Sequence, residues 1–176
     1  MTQDQLISKD YDLGGEMRRG KFVVIDAIKV YNSFNIVDSD WVNNSDGYDY
    51  LVKNKSAKKT MVPLTGLKTG DVLKSFQLTG GVGGASVGKT TVVDAALYKA
   101  VGANGGVTTT SLGAITQITV NADDTFDSAN AAKTLATEVT IADETQYFVL
   151  VTGTTANYDE CDIRLSGVKV TMNTSG

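Results

Sequence analysis

The most sustained alternation in this chain lies near its end. In Asp162-Ile163-Arg164-Leu165-Ser166-Gly167-Val168-Lys169-Val170-Thr171-Met172, apolar and polar residues alternate over the whole run. That is the period of a strand with one buried face. Ile163 and Leu165 share one phase, while Val168, Val170 and Met172 share the other, so the phase slips at Gly167. One residue of β-bulge produces such a slip. Tyr147-Phe148-Val149-Leu150-Val151 is apolar at every position instead, which predicts a central strand covered on both faces.

Other segments read as strands with varying clarity. Leu112, Ala114, Thr116, Ile118 and Val120 fall on one parity and predict a single half-buried strand. In Val72–Leu78, Leu73, Ser75 and Gln77 face one way, and Val72, Lys74, Phe76 and Leu78 the other. Phe22–Tyr31 is the most apolar run, and its β-branched residues favour a strand. Thr90–Val101 carries a helical stripe of Val93, Ala96, Leu97 and Ala100, but its β-branched start tips the reading to strand. Met61–Leu64 is short, and Pro63 suits an edge. Glu138–Ile141 alternates; residues 127–137 predict one helical turn or nothing regular. Clusters of Gly, Asn and Asp separate these runs, at 66–71, 102–106, 121–124 and 153–159 among others.

Two segments are less regular. Residues 32–59 place Trp41, Tyr48 and Tyr50 among Asn, Asp and Ser, which predicts a long loop or a pair of short strands tacked to the body by aromatics. Residues 1–20 lack a sustained apolar period and are broken by Gly14-Gly15 and Gly20, so they read as an N-terminal arm. The fold expected is mainly β: a β-sandwich or jelly-roll-like body with an irregular arm. Its parts are the arm at 1–20 and one domain at 21–176, with a looser segment at 21–59 and a strand-rich core at 60–172.

Composition sharpens this picture mostly by what it lacks. The 176 residues include 22 threonines, 20 valines and 18 glycines but one proline, a balance of strands and Gly/Asn/Asp turns. There is no histidine, which removes the commonest general base and metal ligand and every Ser-His or Cys-His pair. The single cysteine, Cys161, excludes an intrachain disulfide and any cysteine-based zinc cluster, and reads as a small buried apolar residue. A net charge of −4 does not make the whole molecule a trap for nucleic acid. No apolar stretch approaches the ~20 residues of a membrane helix. The N-terminus, Met1-Thr2-Gln3-Asp4-Gln5, is polar and does not read as a secretory signal.

One string points elsewhere. Gly83-Gly84-Ala85-Ser86-Val87-Gly88-Lys89-Thr90 matches the phosphate-binding pattern G-x-x-x-x-G-K-S/T. A working phosphate loop follows a buried parallel strand and opens a helix. Here Leu78-Thr79-Gly80-Gly81-Val82 precedes it, and Thr90-Thr91-Val92-Val93 is a poor first helical turn. The reading preferred is a glycine-rich hairpin. Asp38, Asp40, Asp46 and Asp49, and Asp123, Asp124 and Asp127, form oxygen-rich clusters that suit calcium or, more simply, turn backbone. Neither has helix-loop-helix ligand spacing. Lys53, Lys55, Lys58 and Lys59 form a basic run read as a solvated loop, with an acidic surface or phosphate as the alternative.

Three passages carry a resemblance: Val62-Pro63-Leu64-Thr65-Gly66-Leu67-Lys68-Thr69-Gly70-Asp71-Val72-Leu73, Ser111-Leu112-Gly113-Ala114-Ile115-Thr116-Gln117, and Asp143-Glu144-Thr145-Gln146-Tyr147-Phe148-Val149-Leu150-Val151-Thr152-Gly153-Thr154-Thr155. From about residue 60 to 172 the chain resembles small β-rich virion proteins of tailed bacteriophages, of the capsid decoration (cement) or head-fibre type. The resemblance implies a non-enzymatic sandwich without cofactor or metal. It further implies a homotrimer bound to the major capsid protein or other virion proteins, on a shell assembled in the host cytoplasm. It assigns no binding residues. An arm laid over a neighbour suits such a protein, which makes Tyr11, Met17, Arg18 and Arg19 the expected partner contacts. Neither nucleic acid nor membrane is expected as a partner. The expected function is capsid decoration, with a tail, fibre or receptor-binding β module as the alternative and a nucleotide-binding enzyme behind both.

Overall fold

Threonine and valine recur throughout and proline interrupts the chain once, so extended backbone is favoured along most of its length. The computed structural model describes residues 24–32, 35–36, 38–44, 48–51, 54–83, 90–103, 106–120, 124–126, 131–156 and 161–175. Within them run β1 (Val24–Asn32), β2 (Asn35–Ile36), β3 (Trp41–Asn44), β4 (Tyr48–Leu51), β5 (Lys55–Pro63), β6 (Val72–Gly83) and β7 (Thr91–Ala103). They continue with β8 (Gly106–Ala114), β9 (Ile118–Val120), β10 (Asp124–Thr125), β11 (Ala132–Thr140), β12 (Thr145–Thr155) and β13 (Asp162–Thr174). The expected mainly β body is what forms.

The strands make two antiparallel sheets. In the first, β6 and β13 pair at the centre; β10 and β11 flank β6, β1 and β4 flank β13, and β3 closes on β4. The second runs β2-β5-β12-β7, with β8 and β9 both on the far side of β7. The longer strands give the orders β1-β13-β6-β11 and β5-β12-β7-β8. The chain crosses between sheets on going from β1 to β5, β5 to β6, β6 to β7, β8 to β11, β11 to β12 and β12 to β13. This is the connectivity of a jelly roll.

Several local readings change. The stretch with a helical stripe is strand β7 throughout. The expected single strand over 112–120 is broken: β8 ends at Ala114, Ile115 turns inward and is buried, and β9 starts at Ile118. Residues 132–137, read as a helical turn or nothing regular, belong to β11. The lysine run is not a loop, because Lys55, Lys58 and Lys59 lie in β5. Trp41 and Tyr50 sit in the β3–β4 hairpin, one of the two forms expected.

Bulges reconcile conflicting parities. In β13 the register skips Ser166, since Leu165 pairs with Gly80 and Gly167 with Thr79. The slip predicted at Gly167 is therefore present, and it lets Ile163, Leu165, Val168, Val170 and Met172 all face inward. Gly80 lies opposite at φ 130°, and a Cβ there would fall 2.0 Å from the Arg164 carbonyl oxygen. In β6 the register skips Lys74, so Leu73, Phe76 and Leu78 are all buried despite their opposite parities in sequence.

The core fills the space between the sheets. β12 sends Tyr147, Val149, Val151 and Gly153 inward. Gly153 is small for a reason: a Cβ there would lie 2.7 Å from both Ile163 Cδ1 and Leu51 Cδ2, and 3.1 Å from Trp41 Cζ2. Asp71 ties the β5–β6 connection to the chain end. Its buried carboxylate accepts the Lys68 and Ser175 N–H groups at 3.0 and 2.9 Å, and its carbonyl accepts the Ile141 N–H at 2.7 Å. Overpacking a tight core site costs roughly 1–3 kcal/mol. Gly153→Ala should therefore lower stability by about 1–2 kcal/mol and Gly153→Val by ~3 kcal/mol, read from urea denaturation midpoints. Equal stability of the Val variant would mean that the wedge of Trp41, Leu51 and Ile163 is loosely packed.

Candidate interaction surface

β12 is apolar on both parities, yet only one of its faces is covered. Tyr147, Val149 and Val151 are buried, whereas Phe148 and Leu150 on the outer face remain partly exposed. The expectation of a strand covered on both sides is thus corrected, since the second sheet of a sandwich has one neighbour only. Register aligns the outer row across the sheet. Phe148 lies between Pro63 of β5 and Tyr98 of β7, and Leu150 lies between Met61 and Ala96. The Tyr98 and Phe148 rings stack with centroids 5.6 Å apart and planes 14° from parallel. These outer side chains are all partly exposed, so the face is an apolar plateau about the stacked pair.

A groove of about 750 Å³ extends the plateau at the end where β12 begins. Pro63, Leu64, Leu67, Ile141, Tyr147 and Phe148 contribute apolar walls, and the turn at Asp143 and Glu144 contributes an acidic lip. That turn is held in place. Asp143 accepts the Glu144 N–H through its side chain and the Thr145 hydroxyl through its carbonyl, and the Tyr147 hydroxyl accepts the Ala142 N–H at 3.1 Å. The opposite end of the sheet is a charge cluster. Asp40 pairs with Lys55 and Lys58 at 2.5 and 2.6 Å, and Asp38 accepts the Lys59 N–H at 2.8 Å. Hydrogen bonds from Lys55 and then Lys58 hold the Asp40 carboxyl below its usual range. The hydrogen bond to Asp40, with its charge, raises Lys58.

The positions singled out in sequence do not come together. Gly83 ends β6, residues 84–89 lie outside the described residues, and Thr90 is exposed before β7. The segment that follows the glycines is a strand, not a helix. The Gly83 N–H already donates to Asp162 Oδ1 at 2.9 Å, and Arg164 chelates Oδ2 of the same carboxylate through Nε and Nη2. A buried carboxylate at the mouth of this loop occupies a donor that a phosphate would use and repels the anion. Of the aspartate clusters, Asp38 and Asp40 serve Lys59, Lys55 and Lys58, and Asp124 accepts the N–H of Thr125. Among the described residues no three His, Cys, Asp or Glu side chains converge on a point. Asp46, Asp123, Asp127 and Lys53 lie outside the described residues, as do Tyr11, Met17, Arg18 and Arg19. Cys161 is buried.

The plateau was missed in sequence, although its signal was there. A run of five apolar residues marks a strand with two apolar faces, and nothing local says whether the second face finds a cover. Comparison with protein-family models and with curated proteins gives no match for this chain.

The Asp40 cluster makes a pH prediction. Asp40 is lowered from 3.8, so its contribution is complete above that value and is lost as pH falls through the lower folded value. Lys58 is raised from 10.5, so its contribution is complete below that value and is lost as pH rises through the higher folded value. The stability gap between the wild type and Asp40→Asn should be flat between these limits and shrink in both acid and strong base. Urea midpoints across the pH range measure it. A gap that widens on acidification would contradict the pairing.

Proposed function

We propose that this chain is a non-enzymatic structural protein of a phage virion, a capsid decoration protein that docks on the assembled head and stabilises it. The observation that carries this reading is the outer plateau of the second sheet: Met61, Pro63, Tyr98, Phe148 and Leu150 lie partly exposed on rigid strands. A solvent-facing strand row ordinarily alternates to polar residues, and contiguous exposed apolar side chains mark interaction sites. Aromatic anchors on regular strands lose little side-chain entropy on docking. Four strands by ten residues give a flat footprint of about 19 by 33 Å, or about 600 Å², approaching the ~800 Å² per partner of a stable interface.

The resemblance of residues 60–172 to phage decoration proteins supports a shell as the partner. The mechanism is mass action. A protein that binds the assembled shell and not its separated subunits favours the shell by RT ln(1 + [L]/Kd). No bond need be made or broken, which suits a chain without histidine.

The test uses heads assembled from the major capsid protein encoded in the same genome, with co-sedimentation of the purified full chain. The chain should bind assembled heads and not free capsid subunits. Phe148→Glu should weaken binding by about 2 kcal/mol, or roughly 30-fold in Kd, while its circular dichroism spectrum stays that of the wild type. No binding of the wild type to heads, or equal binding of the Glu variant, overturns the reading.

A further inference from the structure

β8 differs from the other strand edges among the described residues. Its residues from Gly106 to Ser111 are all exposed, and it pairs on one side only, with β7. Val107 is 69% exposed, and Val101 across the hairpin is 39% exposed. An open edge offers a row of backbone donors and acceptors to any extended chain, and proteins blunt such edges with charge, proline, shortness or cover. The rest of this molecule follows that rule. β5 carries Lys55, Lys58, Lys59 and Pro63, and β2 covers it at Thr60 and Met61. β11 carries Lys133 and Glu138 and a register break between Thr134 and Val139. β1 carries Asp26 and Lys29. β3, β9 and β10 are four, three and two residues long. In Gly106-Val107-Thr108-Thr109-Thr110-Ser111 there is neither charge nor proline. The edge is shielded only further along, where Gly113 comes against Leu135 of β11.

We propose that this open edge of β8 is an association site for a second copy of the chain, joined by antiparallel β8–β8 pairing about Thr109 into one sheet that crosses the dimer. The occupant follows from the side-chain content. Antiparallel self-pairing is isologous, so each residue faces a residue of the same segment. Pairing about Thr109 sets Thr108 opposite Thr110 and Val107 opposite Ser111. No charged group meets its own copy, and Thr–Thr and Thr–Ser neighbours across strands are favourable. A strand shaped for a foreign segment would profit from charges complementary to it; an uncharged one loses nothing by meeting itself. The pairing is twofold, not threefold. It does not depend on the virion reading and is measured on the protein alone.

The experiment is sedimentation velocity on the full chain over the micromolar range. The wild type should dimerise. Thr109→Lys and Thr109→Glu should each sediment as a monomer, because like charges then face each other across the axis. An equal mixture of the two should recover the dimer. Val107→Lys repeats the test at a second exposed position, and unchanged circular dichroism spectra show that each variant is folded. A monomeric wild type, an oligomer of any size that survives both lysine substitutions, or a Lys/Glu mixture that stays monomeric overturns the proposal.

Discussion

The contact on which the rest of the structure depends is the wedge at Gly153. Trp41, Leu51 and Ile163 come from three strands of the first sheet and close against a backbone position of the second. All three are buried, and the rows of β12 and β13 on either side of them form the centre of the core. Burial of apolar surface stabilises by roughly 25 cal/mol per Å². The packing at this point also absorbs a polar cost: Trp41 Nε1 has no hydrogen-bond partner among the described residues, and an unsatisfied buried donor costs about 1–3 kcal/mol. Closing the two sheets in this way determines which face of each strand is spent on folding. It leaves the other face of β12, with Phe148 and Leu150, for solvent or a partner.

Where the sequence was legible, one buried face controlled the pattern. The alternation over 162–172, with its slip at Gly167, maps directly onto β13 and its bulge, because each inward residue is there for the core. Legibility failed where pairing partners set the outcome. Leu112 to Val120 alternates without a break, yet β8 and β9 meet β7 at two separate places and the chain between them turns Ile115 inward. Lys55, Lys58 and Lys59 read as a solvated loop because their charges mask a strand whose backbone is held by β12, while Asp40 pairs with two of them. The β6 parity conflict between Leu73 and Phe76 has the same origin, since its bulge at Lys74 is visible only against the register of β13.

The glycine-rich string shows the opposite error, a motif whose letters match while its surroundings do not. Phosphate binding needs backbone N–H groups free and converging at the start of a helix. This string instead leaves one sheet of a sandwich for the other, so its glycines serve a crossing and not a cradle. The Asp162 carboxylate on Gly83 N–H, held by Arg164, supplies the local closure that a bound phosphate would supply in a nucleotide site. Spacing along the chain cannot distinguish the two, because both require small residues where backbones pass closely.

The apolar plateau and the open edge belong to the same sheet, and their geometry couples them. Antiparallel strands joined edge to edge are related by a twofold axis perpendicular to the sheet, so both copies turn the same face to the same side. A second copy added at β8 therefore continues the plateau: Tyr98 and Ala100 lie beside Ser111 and Thr109 in register, and the partner's rows follow beyond them. The pair presents two apolar footprints in one plane at a fixed separation. A partner with a repeating surface can engage both, and the second contact then forms at the effective concentration set by the first. Two weak contacts of modest area become selective for an assembled array over its loose subunits, since only the array offers both at once. Edge and face thus have different tasks: hydrogen bonds along the edge fix the spacing, and burial on the face supplies the affinity.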